Sequence, residues 1–136
     1  MKKFLAVAIV SILFVSTAFT AIIENIKPVN AKFPAIITKE EMGKAIQEGS
    51  EKQGWILEEN GDSAYIATLN YEQYVVVVDI PYDNTGYSIN YKSSENLNYS
   101  ATSQMINMGY NRWVAIFDQS IRLAVRKYIV EAKKKK

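Results

Sequence analysis

Hydrophobic and polar positions change period several times along this chain, and each change marks a predicted element. Met1-Lys2-Lys3 opens it, and Phe4 to Ile23 then runs without a charge. The segment Lys32 to Ile37 reads as short and extended, with Pro34 opposed to helix. Thr38 and Glu41 have the spacing of a capping box, and Glu40 and Glu41 suit the positive end of a helix dipole. Met42, Ala45, Ile46 and Gly49 recur at i, i+3, i+4 and i+7, which predicts a helix with one narrow apolar face that stops near Gly54.

The period then shortens to two. Trp55 to Glu58 alternates up to Asn60-Gly61, a dipeptide suited to a tight turn, and Ala64 to Leu69 alternates on the return. Tyr74 to Ile80 is the most β-branched run, and its Val75-Val76-Val77-Val78 core is apolar on both faces, as in a central strand. Pro81 is expected to end it, and Asp83-Asn84-Thr85-Gly86 forms a turn cluster. Tyr87 to Lys92 is the fourth strand. Short links between successive strands imply an antiparallel meander, because parallel neighbours need long crossovers.

A polar connection, Ser93 to Thr102, leads into a helix expected from about Ser103 to Glu131, with a break or bend at Gly109. Trp113, Ile116, Phe117, Ser120, Ile121, Ala124 and Tyr128 fall on one stripe, with Arg112, Asp118, Arg122 and Arg126 away from it. The predicted class is α+β in the order α-β-β-β-β-α: a four-stranded antiparallel meander with two helices packed on one face. A sheet so covered leaves its other face apolar around Val75 and Val77, which points to association, a homodimer included.

The N-terminal run changes the picture most. Two lysines before a long apolar stretch form the n-region and h-region of a signal peptide, and Val29 and Ala31 supply small residues at minus three and minus one. Cleavage is expected after Ala31, leaving one domain from Lys32 to Ala132 and a basic tail, Lys133 to Lys136. The competing expectation is an uncleaved anchor, because twenty uncharged residues at about 1.5 Å each could cross a hydrocarbon core of about 30 Å. Either reading places the domain outside the cytoplasmic membrane, in the periplasm or attached to the inner membrane.

Composition narrows the chemistry. The chain has no cysteine and no histidine. It therefore has no disulfide, no thiolate or imidazole-assisted nucleophile and none of the usual zinc ligand sets, and no cofactor is expected. Lys32 to Glu95 holds five lysines against eleven acids, a net of minus six, whereas Asn96 to Lys136 holds eight basic residues against two acids, a net of plus six. The acidic first half disfavours nucleic acid. Lys133, Lys134, Lys135 and Lys136 read as a solvated helix end or as a contact with anionic lipid headgroups, as the N-terminal segment could also be in contact with membrane.

The stretch Tyr82 to Tyr110 is rich in tyrosine and asparagine. Its strings Tyr87-Ser88-Ile89-Asn90-Tyr91, Ser94-Glu95-Asn96-Leu97-Asn98-Tyr99 and Tyr110-Asn111-Arg112-Trp113-Val114 resemble, in this order, a group of small exported proteins and lipoproteins of Gram-negative bacteria. The resemblance covers about Gly54 to Arg122. It implies an envelope location and these domain limits, and brings no activity with it. This chain departs from the group in having Asn107-Met108-Gly109 where members commonly carry a histidine, and in lacking the lipid-bearing cysteine.

Two readings of those residues stay open. Tyrosines on a strand face with Trp113 on a helix can be core aromatics, and asparagines can hold turns. Alternatively Tyr91, Asn98, Tyr99, Tyr110 and Trp113 line a groove between the last strand and the last helix. Hydrogen-bonding groups on flat apolar surface there would suit a protein, peptide or cell-wall fragment. The expected function is thus a non-enzymatic envelope binding module. The alternative is a carboxylate-dependent hydrolase of envelope glycans using two of Asp79, Asp83 and Glu95, about 5–9.5 Å apart across a cleft. Asp79 would be either a buried acid of raised pKa or a strand-end carboxylate paired with a basic residue. No metal site is expected, because Asp83 and Glu95 lack calcium-loop spacing.

Overall fold

The computed structural model describes residues Ile22 to Lys135. Their order is β1 (Ile23–Asn25), β2 (Val29–Lys32), α1 (Lys39–Gln53), β3 (Ile56–Glu59), β4 (Ala64–Tyr71), β5 (Tyr74–Asp83), β6 (Gly86–Glu95), β7 (Met105–Asn107) and α2 (Gly109–Lys134). The fold is α+β with all pairings antiparallel, as expected. The expected single four-stranded meander is corrected to two sheets: five strands in the order β2-β6-β5-β4-β3, and a separate pair β1-β7. β3 to β6 form the meander and β5 is its central strand.

Local chemistry accounts for the helix ends. Thr38 accepts the Glu41 N–H at 3.1 Å and Glu41 accepts the Thr38 N–H at 3.0 Å, closing the capping box. Gly54 ends α1 in the left-handed region at φ 78°. Met42, Ala45 and Ile46 are fully buried and join one core with Ala67, Val76, Val78 and Ile80 of the sheet and Val114, Phe117, Ile121 and Val125 of α2. The helices cross closely at Gly49, where a Cβ would stand 2.7 Å from the Ile121 side chain. Trp55 stacks on Phe117 at 4.5 Å between ring centroids and closes that end.

Three further sequence expectations are corrected. Pro81 does not end its strand; β5 continues to Asp83. The β5–β6 register passes from Asp79↔Asn90 to Tyr82↔Tyr87, so the ladder has a gap where proline has no N–H to donate. Residues 103–108 are not helical. Met105 to Asn107 pair with β1, and α2 starts at Gly109, whose N–H is taken by the Asn107 side chain at 2.9 Å. Ile116, expected on the buried stripe, is 45% exposed, because the buried face turns to Val114, Phe117, Ile121 and Val125.

The N-terminal segment of the described residues is part of the fold. Ile22 to Lys32 straps the domain. β1 joins β7, and β2 joins β6 through Val29↔Ile89 to Lys32↔Gly86. Asn111 in the first turn of α2 is buried, accepts the Lys27 N–H at 3.0 Å, and donates to the Glu24 carboxylate at 2.6 Å and the Asn25 carbonyl at 2.8 Å. Ala31 is fully buried, and its carbonyl lies so close to Gly86 that a Cβ there would stand 1.9 Å away. The expected cut after Ala31 therefore falls inside β2. The uncharged run from Phe4 lies outside the described residues up to Ala21. Among the described residues no helix is long and apolar enough to cross a membrane.

Candidate functional site: an aromatic belt at the start of α2

Alternation along β6 sends Tyr87, Ile89 and Tyr91 to the helix side. Tyr91 is the last of these, and the connection that follows folds Tyr99 back onto it. The two rings stack at 4.2 Å between centroids, and Tyr110 meets Tyr91 edge-on at 5.6 Å. The turn that allows this uses left-handed residues, Asn96 at φ 65° and Asn98 at φ 53°, a conformation asparagine tolerates better than most residues. Asn96 donates to the Gln73 carbonyl at 2.6 Å, and the buried Leu97 pins the loop. Asn98 is exposed.

One helical turn beyond Tyr110, Trp113 continues the belt. It lies 5.7 Å from Tyr71, edge-on, and 5.6 Å from Tyr74. These two tyrosines face each other at the end of the β4–β5 hairpin, where Glu72 takes φ 53°. Of the five expected site residues, the structure packs Tyr91, Tyr99 and Tyr110 together rather than opening a groove between them, and sets Trp113 one helical turn away against Tyr71 and Tyr74. Tyr110 is 1% exposed. Asn98 contributes a turn. The sequence reading missed Tyr71 and Tyr74; their signal was a pair of tyrosines flanking the two residues Glu72-Gln73.

Burial pushes the Tyr110 hydroxyl well above the ordinary phenol range and raises Tyr91 also. Tyr91 and Ser94 share a hydrogen bond of 2.8 Å. What remains outside is flat apolar surface: Tyr71 is 51% exposed, and Tyr74, Tyr91, Tyr99 and Trp113 are half-buried. Such rings can stack on a sugar face or an apolar peptide side chain and offer single hydroxyls as donors.

The carboxylates are placed differently. Asp79 faces Lys92 at 3.7 Å on the sheet surface away from the helices, which is the paired, partly exposed arrangement. Asp83 accepts the Thr85 N–H and hydroxyl, each at 2.7 Å, and these bonds hold its carboxyl below the usual range. It borders a cleft of about 220 Å³ with Lys32, Tyr82 and Tyr87 among the other walls. Neither Asp79 nor the exposed Glu95 lines that cleft, so the carboxylate pair a glycosidase needs is not assembled there. Among the described residues no three acidic side chains converge as metal ligands.

Tyr87, beside the cleft, is bound inward. Its hydroxyl donates to Asp118 at 2.6 Å, and Asp118 also accepts from Arg122 Nε at 2.9 Å. Burial, then the Asp118 carboxylate, raises the Tyr87 hydroxyl far above the phenol range. The sheet face away from the helices is apolar at its centre, with Ile66, Thr68, Val75 and Val77 half-buried and Ile56 61% exposed at the β3 edge. Lys133, Lys134 and Lys135 are exposed, and Lys136 lies outside the described residues.

These features define a small α+β domain with one helical layer on a five-stranded antiparallel sheet, strapped by its own N-terminal strands. No family model, no curated protein and no solved structure matches the chain.

Proposed function

We propose that this chain is an exported, envelope-side binding module, and that its ligand surface is the aromatic belt around the first turns of α2. The observation that carries the reading is Tyr71, half exposed while packed edge-on against Trp113. An aromatic pair held rigid by a hairpin end and a helix offers contact area at small entropic cost. The ligand class is a cell-wall fragment, a peptide or an envelope protein segment with an apolar face. Trp113 reports the contact directly, since Trp55 is buried against Phe117. Titration with soluble peptidoglycan fragments and with apolar peptides should shift Trp113 emission, and Tyr71→Ala should weaken binding about tenfold, in line with loss of one aromatic contact. Emission that stays constant across both ligand sets would remove the belt as a binding surface.

Export belongs to the same proposal. β1 and β2 are structural, so a processing point compatible with the fold lies upstream of Ile22. Ser16 and Ala18 are small residues at minus three and minus one. A cut after Ala18 leaves Phe4 to Val15, twelve residues, as the apolar core, within the roughly 7–15 usual for signal peptides. N-terminal sequencing of the periplasmic protein should begin at Phe19. A mature start at Lys32, or soluble cytosolic protein retaining Met1, would overturn this.

A further inference from the structure

The outer face of α2 has a second pattern that the belt does not use. Ile116, Leu123 and Val130 are 45%, 55% and 51% exposed, and they recur every seven residues. At 1.5 Å per residue they form an apolar line about 21 Å long. Such spacing drifts only about 20° per step around a straight helix, so all three point the same way. By the same rotation, Arg112, Arg126 and Lys133 flank the line on one side and Lys127 and Lys134 on the other, and all five are exposed. The acids beside this face are paired, Asp118 with Arg122 at 2.9 Å, Glu131 with Lys134 at 3.3 Å and Glu48 of α1 with Lys127 at 3.6 Å, which leaves Arg112, Arg126 and Lys133 as the flanking bases outside these pairs.

We propose that this face of α2 docks on an anionic phospholipid surface, with Ile116, Leu123 and Val130 in the headgroup–acyl boundary and the flanking arginines and lysines on the headgroups. A narrow apolar line edged by basic residues is the pattern of helices that lie in a membrane interface. Each basic residue near such a surface contributes a factor of about five in partitioning. A second copy of the chain is a poorer occupant. Antiparallel pairing of two α2 helices about Leu123 brings Arg112 of one against Lys133 and Lys134 of the other, like charge against like. The Met108 N–H bonds the Ile22 carbonyl at 2.9 Å, so Ile22 lies beside the first turn of α2. The inference goes beyond the belt proposal and does not rest on it.

The absence of cysteine allows a clean test, since one introduced thiol is unique. Gln119→Cys, on the exposed face beside the line, is labelled with a polarity-sensitive dye, and Asn90→Cys on the opposite sheet face serves as control. The purified protein with its own N-terminus is mixed with vesicles of phosphatidylethanolamine and phosphatidylglycerol (7:3) or of phosphatidylcholine alone. A blue shift at position 119 with the anionic vesicles only, absent at position 90, is expected. Leu123→Asp should abolish it, and Arg126→Ala should weaken partitioning about fivefold while far-UV circular dichroism stays unchanged. Equal shifts on both vesicle types, no shift on either, or a concentration-dependent shift without vesicles would overturn the proposal, the last in favour of self-association.

Discussion

The β4–β5 hairpin and the β2–β6 pair add strands to the same sheet by different means. β5 follows β4 after two residues, and its register is supported by a turn, by Tyr71 opposite Tyr74, and by alternating burial along both strands. β2 reaches β6 from the far side of α1 and three strands. Sequence distance alone is a small handicap, since each doubling of a loop costs only about 0.6 kcal/mol. The larger difference is what each strand buries. β4 brings Tyr65 and Ala67 into the core, whereas β2 brings only Ala31. β1 and β2 are therefore held mainly by backbone ladders and by Asn111, a polar tie made over more than eighty residues. Local pairs here are stabilised by apolar burial, and the distant strap by satisfied hydrogen bonds.

That contrast can be broken at its strongest point by starting the chain at Lys32. The truncated protein would lose β1, all but one residue of β2 and the three partners of Asn111. Urea unfolding should show stability lower by at least about 3–5 kcal/mol or no cooperative transition. An unchanged midpoint would mean the strap is an ornament on a self-sufficient meander. Asn111→Ala tests the tie alone. Leaving the Lys27 N–H and Asn25 carbonyl without their partner should cost about 2–3 kcal/mol.

A smaller effect is expected where β6 serves both of its neighbours. Tyr87 opposes Ala31 on one side and Tyr82 on the other. Burial raises the hydroxyls of Tyr87 and Tyr110, and that of Tyr82 to about 12. A raised folded-state pKa means the folded form holds its proton more tightly. The stabilisation is then complete below the ordinary phenol value of about 10 and is lost as pH rises through the folded-state values. The urea midpoint should stay level from pH 7 to 9 and fall above about 10. Tyr87→Phe should cost about 1 kcal/mol at neutral pH and flatten the alkaline fall. Asp79→Ala, by contrast, removes a partly exposed ion pair of the meander and should change stability by less than about 1 kcal/mol. If Asp79→Ala matched Asn111→Ala, the distinction between the two regions would fail.

The same contrast explains what could be read from the sequence. α1 is legible through Thr38, Glu41 and Gly54, three of the meander strands through two-residue alternation, and β5 through its β-branched run, because each signal is local. β1, β2 and β7 are three or four residues long, too short to show a period, and their partners lie far along the chain. Met105 to Asn107 looked helical because Ile106 suits either state; its backbone pairs with Glu24, which no local pattern reveals. Ile116 suits an inward position because a wide apolar helix has two candidate faces, and only the position of α1 selects between them. At the site, the tyrosines of the motif region were legible as a group, but their mutual packing was not. Tyr71 and Tyr74 enter the belt through the reach of a hairpin end toward Trp113.

The tie between the N-terminal strap and α2 has a mechanical consequence. A force applied at Ile22 is transmitted first into the three-residue β1–β7 ladder and the side chain of Asn111, and only afterwards into the five-stranded sheet. These few bonds form a weak link in series with a strong body. Pulled from that end, the strap would yield while α1, α2 and the meander stayed assembled, leaving the aromatic belt intact.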